Sequence, residues 1–335
     1  MPDLIDIILP LTLDQRALVL ALALMADAVI GEPDWLWSRL PHPVVGFGRA
    51  ISAASSWGNR RRYSGRRRRI NGMLVITALV MLAFGVGGMI AGLAGLAPVI
   101  ISAVAEGVIV TVLVAGRSLD DHVRRVAVAL RAGDMTAARF HVSMIVGRNP
   151  DALDAAAMAR ASIETTAENL SDGVVAPGLF YLLFGLPGII IYKMINTADS
   201  MIGYKSKDHF AFGTGAARLD DLVNLIPARI TGFAIALAAP LKTPAAVVAM
   251  ARDAGWHRSP NAGWPEAAMA AVLGLALAGP RQYGQRMSAD REMNPAGRRA
   301  ATADDVRAGL VIMWRAIGIL VAGLLVAGML SAGLV

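Results

Sequence analysis

No cysteine occurs in the chain, which excludes disulfides, thiolate zinc sites and cysteine nucleophiles. Three common catalytic signatures are missing as well: a Walker glycine loop ending in lysine, a Gly-x-Ser-x-Gly elbow and a His-Glu-x-x-His zinc pair. A nucleotide bound here must be bound by another arrangement. Charge is scarce too, at 17% of 335 residues, so each charged cluster requires a reason. What fills the chain is apolar. Hydrophobic residues make up 56% and the mean hydropathy is +0.54, values of an integral membrane protein. The net charge of +7 is mostly arginine. A soluble nucleic-acid binder would be basic without apolar runs of spanning length, so no nucleic-acid partner is expected.

Asp3, Asp6 and Asp14 precede the apolar stretch Leu18–Ile30, where a cleaved signal requires positive charge; a retained first span is expected. Met73–Ala115 is apolar except for Glu106 and long enough for two spans, with the break at Gly95 and Pro98. Val174–Ile195 is interrupted by Gly185, Pro187 and Gly188, and Ile226–Met250 by Pro240 and Pro244. Ala267–Gly279 is too short to cross as a straight helix, and Gly309–Val335 reads as a last span with Arg315 near its start. Seven arginines lie between Asn59 and Arg69, which places that loop in the cytoplasm by the positive-inside rule, against anionic lipid. From this anchor, Gly116–Asp172 is a cytoplasmic helical insertion. The expected fold is all-α: a polytopic membrane protein, 1–335 as one membrane-embedded catalytic domain, with re-entrant or broken helices between 174 and 280. Whether Val174–Ile195 crosses fully stays open.

Three polar clusters carry the candidate chemistry. In "SIETTAENLSDGVVAPG", Arg160, Glu164, Glu168 and Asp172 share one helical face at four-residue spacing, with Asn169 beside them. Three carboxylates on one face suit magnesium, a metal–polyphosphate or a base for an incoming amine; a solvated face paired with nearby arginines is the structural alternative. In Tyr192–Arg229, Asn196 and Asp199 lie one turn apart near the membrane, where polar groups are costly unless functional. Lys205 and Lys207 are compact cations suited to phosphate. Gly213 and Gly215 permit close backbone approach. Arg218, Asp220, Asp221 and Asn224 open the next helix, where the aspartates also suit the dipole. In "GWHRSPNAGWPEAAMA", Pro265 and Glu266 read as a helix start, leaving His257, Arg258 and Asn261 as candidates. Smaller signals are Asp27, "GEP" (Gly31–Pro33), "HPV" (His42–Val44), "GRSLDDH" (Gly116–His122) and "VGRNP" (Val146–Pro150). Asp120, Asp121 and His122 read as caps of an amphipathic helix.

Together these segments resemble the adenosylcobinamide-phosphate synthase family, the CobD/CbiB membrane proteins. The likeness runs in order from about the first span to the last. It departs at Glu32, where the family has aspartate, and at Asn149, where the family has an acid. The resemblance implies an ATP-dependent acid–amine ligase of cobalamin biosynthesis. It would join adenosylcobyric acid to (R)-1-amino-2-propanol, or its O-phosphate, through an amide, in the bacterial inner membrane with the site on the cytoplasmic face. Its implied cofactors are ATP and magnesium. Read against that chemistry, Glu164, Glu168, Asp172, Lys205 and Asp221 are the catalytic candidates. Glu168, Asp172, Asp199, Asp220 and Asp221 are the metal candidates. Lys193, Asn196, Lys207, Arg218, Asn224, His257, Arg258, Asn261, His42 and Arg148 are the binding candidates, the cations for phosphate and the His257 turn for the corrin's amide-rich rim. Two other classes compete. A membrane prenyl- or alcohol-phosphate transferase would use "NTAD" (Asn196–Asp199) and "DDLVN" (Asp220–Asn224). A non-catalytic corrin transporter or binding component would use broken helices and buried charge.

Overall fold

A computed structural model describes residues 8–146, 151, 153–203, 210–280, 282–283, 286–287, 290–331 and 333. In chain order the helices are α1 (Leu13–Ile30), α2 (Asp34–Trp37), α3 (Pro43–Gly58), α4 (Gly65–Ala94), α5 (Val99–Leu113), α6 (Gly116–Ala132), α7 (Met135–Ser143) and α8 (Ala155–Leu170). A π-turn (Ser171–Val175) leads into α9 (Ala176–Ala198), and a second (Asp199–Gly203) follows it. Then come α10 (Thr214–Val223), α11 (Leu225–Leu237), α12 (Thr243–Asp253) and α13 (Gly263–Leu273). Four two-residue strands, β1 (Leu277–Ala278), β2 (Gln282–Tyr283), β3 (Arg286–Met287) and β4 (Glu292–Met293), precede α14 (Ala303–Ser331). Strand β1 pairs antiparallel with β4, and β2 with β3.

Four helical segments among the described residues are long and apolar enough to cross a membrane: Gly65–Ala94, Val99–Ala132, Ala155–Gly203 and Ala303–Ser331. The pair Leu225–Leu237 and Pro240–Trp256, bent by 110°, makes a fifth if it counts as one broken span. The architecture is that of an all-α, multi-pass membrane protein with broken helices. The break expected at Gly95 and Pro98 falls between α4 and α5, and that at Pro240 between α11 and α12. The expected first span differs. Helix α1 carries Asp14, Arg16 and Asp27 in 18 residues, with Arg16 and Asp27 buried, and does not join the span-grade helices.

The chain divides into two compact units. The first comprises Met1–Val114, Ala176–Asn224 and Leu324–Val335. Its centre is α9, which packs against α1, α3, α4, α5 and α10. Gly185 breaks α9 with φ 59° and ψ −152°. Pro187 lacks the N–H that would meet the Leu183 carbonyl four residues back, and Arg16 Nη1 supplies the donor instead, at 3.1 Å. Tyr181 Oη donates to Glu106 Oε2 at 2.7 Å beside it, so Glu106, the one acid in its apolar run, is buried and partnered. Gly87 of α4 lets the break come close, since a Cβ there would overlap the Pro187 backbone.

The second unit comprises Ala115–Val175 and Leu225–Gly323. The insertion expected at 116–172 thus forms one packed body with the later helices. Helix α13 is its core, buried on nearly all sides and packed on α8, α11 and α12. That accounts for an apolar run too short to span: it is a helix buried in protein.

Candidate active site

In the first unit, α9 and α10 meet through two four-residue pairs, Tyr192 with Asn196 and Asp220 with Asn224. Tyr192 Oη donates to Asn224 Oδ1 at 2.9 Å, and Asn224 Nδ2 donates to Asp220 Oδ2 at 3.0 Å. Asn196 Nδ2 donates to Asp220 Oδ1 at 3.4 Å. Both oxygens of a buried carboxylate therefore accept from side-chain amides. Burial, and after it the negative charge of Asp199, push Asp220 up to about 7; the two amide bonds act the other way, and Asp221 adds to the rise. The three aspartates share one electrostatic neighbourhood.

Asp199 opens the second π-turn, a geometry frequent at functional sites. Three glycines make room around it. A Cβ at Gly203 would overlap the Asp199 carboxylate, one at Gly213 the Ile202 carbonyl, and one at Gly72 of α4 the Phe212 carbonyl. Gly215 is in ordinary contact with α4. The glycines thus bring the turn at Asp199–Gly203, the start of α10 and helix α4 into close backbone contact. Lys205 and Lys207 belong to the segment 204–209, outside the described residues. Lys193 is buried on α9, Arg218 is exposed on α10, and Asp221 is half-buried.

His42 caps α3. Its Nδ1 accepts from Val44 N at 3.3 Å and its Nε2 donates to the Val112 carbonyl at 3.2 Å, which defines a neutral tautomer. Burial holds its imidazole below the ordinary value, with Glu32 and Lys193 near enough to act on it. The "GEP" and "HPV" signals therefore lie by the α9 cluster, although both nitrogens of His42 serve the fold.

In the second unit, the carboxylates of α8 differ from one another. Glu164 is buried, and its Oε1 accepts from Ala278 N at 2.8 Å. Glu168 is exposed, and Asp172 is half-buried inside the first π-turn, whose wider winding interrupts the straight stripe between them. Arg160 Nη1 donates to the Arg299 carbonyl. Arg148 lies outside the described residues.

The turn before α13 is built around His257. Its Nδ1 accepts from Ser259 N at 3.1 Å, and its Nε2 lies 3.6 Å from Glu266 Oε1. Glu266 is 1% exposed and sits in the first turn of α13, so it is more than a helix-start acid. Asn261 is buried beside them, and Arg258 pairs with Asp290 at 2.7 Å. The sequence reading did not single out Tyr192 or Asp253. Asp253 is fully buried, pairs with Arg252 and accepts from Asn294 N at 2.8 Å. An acid next to an arginine at a helix end carries no local signal of that distant bond.

The structure thus gathers Asn196, Asp199, Asp220, Asp221 and Asn224 in one unit. In the other it places Glu164, Glu168 and Asp172 on one helical path and His257, Arg258 and Asn261 on one turn. Among the described residues no three His, Asp or Glu side chains are close enough together to hold a metal alone. Magnesium ordinarily takes one or two protein carboxylates and completes its shell with phosphate oxygens and water. The donor set at Asp199, Asp220 and Asp221, hard oxygens that repel one another, fits that mode in kind.

The model of the CobD/CbiB protein family matches residues 20–313. Three similar relatives each bear the name cobalamin biosynthesis protein CobD. The Brucella anthropi protein is 48% identical over 316 residues, covering 91% of this chain and 94% of its own. The Sinorhizobium sp. protein is 47% identical over 309 residues, 90% and 95%. The Rhodobacter capsulatus protein is 46% identical over 305 residues, 90% and 94%. No solved structure matches the chain.

Proposed function

Because the chain belongs to the CobD/CbiB protein family, we propose that it acts in cobalamin biosynthesis as the ATP-dependent ligase that joins adenosylcobyric acid to (R)-1-amino-2-propanol or its O-phosphate. The product is adenosylcobinamide or its phosphate. The observation that carries the chemistry is the buried Asp220, held by Asn196 and Asn224 and raised to about 7 by burial and Asp199.

Amide formation from a carboxylate and an ammonium makes three demands. The carboxylate oxygen must leave, so ATP first converts it to a mixed anhydride. The nitrogen must lose a proton before it attacks. The transferring phosphate must be neutralised. A carboxylate that titrates near neutrality matches a general base for the ammonium, since it accepts a proton at working pH without holding it too weakly. Asp220 is our assignment for that base. Bound magnesium would supply charge neutralisation to the nucleotide phosphates, with Asp199 and Asp221 as its protein ligands; it would offset the part of the Asp220 rise that those two charges cause, leaving burial as the cause that keeps Asp220 basic. Lys205, Lys207 and Arg218 are proposed as cations for the phosphates and, within the second unit, His257 and Asn261 for the amide groups of the corrin. Glu168 and Asp172, where α8 ends and the chain turns apolar, are proposed separately, within the second unit, as carboxylates for magnesium or for the ammonium proton. The cytoplasmic side of the inner membrane, where ATP is available, is the proposed location, on the strength of the Asn59–Arg69 arginine run.

The reading is tested by complementation. A strain that makes cobyric acid but not cobinamide, and that exogenous cobinamide rescues, should regain corrinoid synthesis when it expresses this chain. Asp220→Asn and Asp221→Asn, expressed to the same level, should not restore it. Failure of the wild-type chain would overturn the assignment. Full rescue by both variants would remove the aspartates from the chemistry.

A further inference from the structure

Among the described residues, two outside glycine have left-handed backbones, Ala278 with φ 58° and Asn294 with φ 50°. This conformation is rare for alanine, and it persists only where surroundings enforce it. The two residues flank the same feature: β1 ends at Ala278, β4 ends at Met293, and the pairing joins Leu277 to Met293 and Ala278 to Glu292. Each has its N–H taken by a buried carboxylate. Glu164 Oε1 accepts from Ala278 N and Asp253 Oδ2 from Asn294 N, both at 2.8 Å. Glu164 is 5% exposed and Asp253 is fully buried. The Asn294 side chain adds donors to the Leu275 carbonyl at 3.0 Å and the Ala270 carbonyl at 3.3 Å, at the C-terminal end of α13, which leaves such groups unmet.

Between these two anchors along the chain, just before β4, an arm of two residues, Asp290 and Arg291, reaches another turn. Asp290 pairs with Arg258, and the Arg291 guanidinium lies over the Trp256 ring at 5.3 Å. Both contacts land on the turn that carries His257. They are individually weak, because the Arg258 side chain is 58% exposed. Register therefore has to come from the base of the arm, where the charged acceptors are buried and directional.

We infer that Glu164 and Asp253 are positioning residues: they fix the strained backbones of Ala278 and Asn294 and so set the arm that braces the His257–Arg258 turn. Glu164 then acts through backbone geometry and not on the reacting groups. The inference is independent of the reaction for its structural half and rests on the proposed ligase activity for its catalytic half.

The experiment pairs Glu164→Gln with Glu164→Ala, and Asp253→Asn with Asp253→Ala, in full-length protein in nanodiscs. Hydrogen exchange is followed at Ala278 and Asn294, and conversion of adenosylcobyric acid is measured in parallel. Each amide variant keeps a carbonyl acceptor for the backbone N–H. It should hold wild-type exchange protection at its partner residue and turnover close to wild type. Each alanine variant should lose protection there, and a misplaced turn should lower kcat/KM by about a hundredfold, mainly through KM. Three results overturn the inference: Glu164→Gln losing protection as fully as Glu164→Ala, Glu164→Ala leaving exchange unchanged, or Glu164→Gln keeping protection while losing turnover. If Glu164→Ala does not accumulate as folded protein, Glu164→Gln decides alone. Absence of turnover in wild type would count against the ligase assignment, and the exchange data would still decide the anchoring.

Discussion

At the scale of single residues, the site is a set of carboxylates told apart by their surroundings. Asp220 keeps its proton to about 7 in the folded protein, against an ordinary value near 3.8. The folded state therefore binds a proton that the unfolded state has released between those values, and stability falls as pH rises across that window. In chelator-treated protein, the melting temperature should decline between about pH 4 and pH 7, levelling above it, and Asp220→Asn should flatten the decline; an unchanged slope in the variant would deny the buried charge. Tyr192→Phe removes the donor to Asn224 and should lower stability by about 1 kcal/mol, read by thermal melting. Much of this set was legible in the sequence, because four-residue spacing names Asp220 with Asn224 and Glu164 with Glu168 as helical neighbours. The spacing could not tell a buried carboxylate from an exposed one. Glu164 is committed to a backbone N–H 114 residues away, and only tertiary packing makes that bond.

At the scale of elements, breaks do the positioning. Prolines and glycines announced the α4–α5 and α11–α12 breaks, since they forbid or weaken helix locally. The two π-turns were not legible. A single widened turn changes the winding without a residue signature, and it separates Asp172 from the stripe of Glu164 and Glu168. The glycines that seat the Asp199 turn make a sharp comparison within one helix. Gly72→Ala places a Cβ onto the Phe212 carbonyl, whereas Gly85→Ala meets nothing within 4 Å. The first should destabilise by about 1–3 kcal/mol through overpacking, and the second should be neutral or stabilising by up to about 1 kcal/mol. Thermal unfolding of the two variants side by side checks this; equal effects would contradict the packing of Phe212 on α4.

At the scale of the whole molecule, hydropathy gave the class directly, since apolar helices of this length are stable only in lipid or buried in protein. Helix α1 falls outside the span-grade set because of its charges, yet its buried Arg16 serves the broken helix α9; a window average does not show which charges find partners. The native absence of cysteine makes orientation measurable with single introduced thiols. Ser64→Cys, inside the arginine run, should react with an impermeant maleimide only when the cytoplasmic face is exposed. Labelling in intact cells would reverse the proposed topology. The central claim, ligation driven by ATP, is tested most directly by mass spectrometry of purified protein supplied with adenosylcobyric acid, magnesium–ATP and each amine in turn. The account predicts a corrinoid amide formed in step with ADP or AMP, with nucleotide breakdown that depends on both corrin and amine. Nucleotide left intact, or consumed without a corrinoid amide, would contradict it.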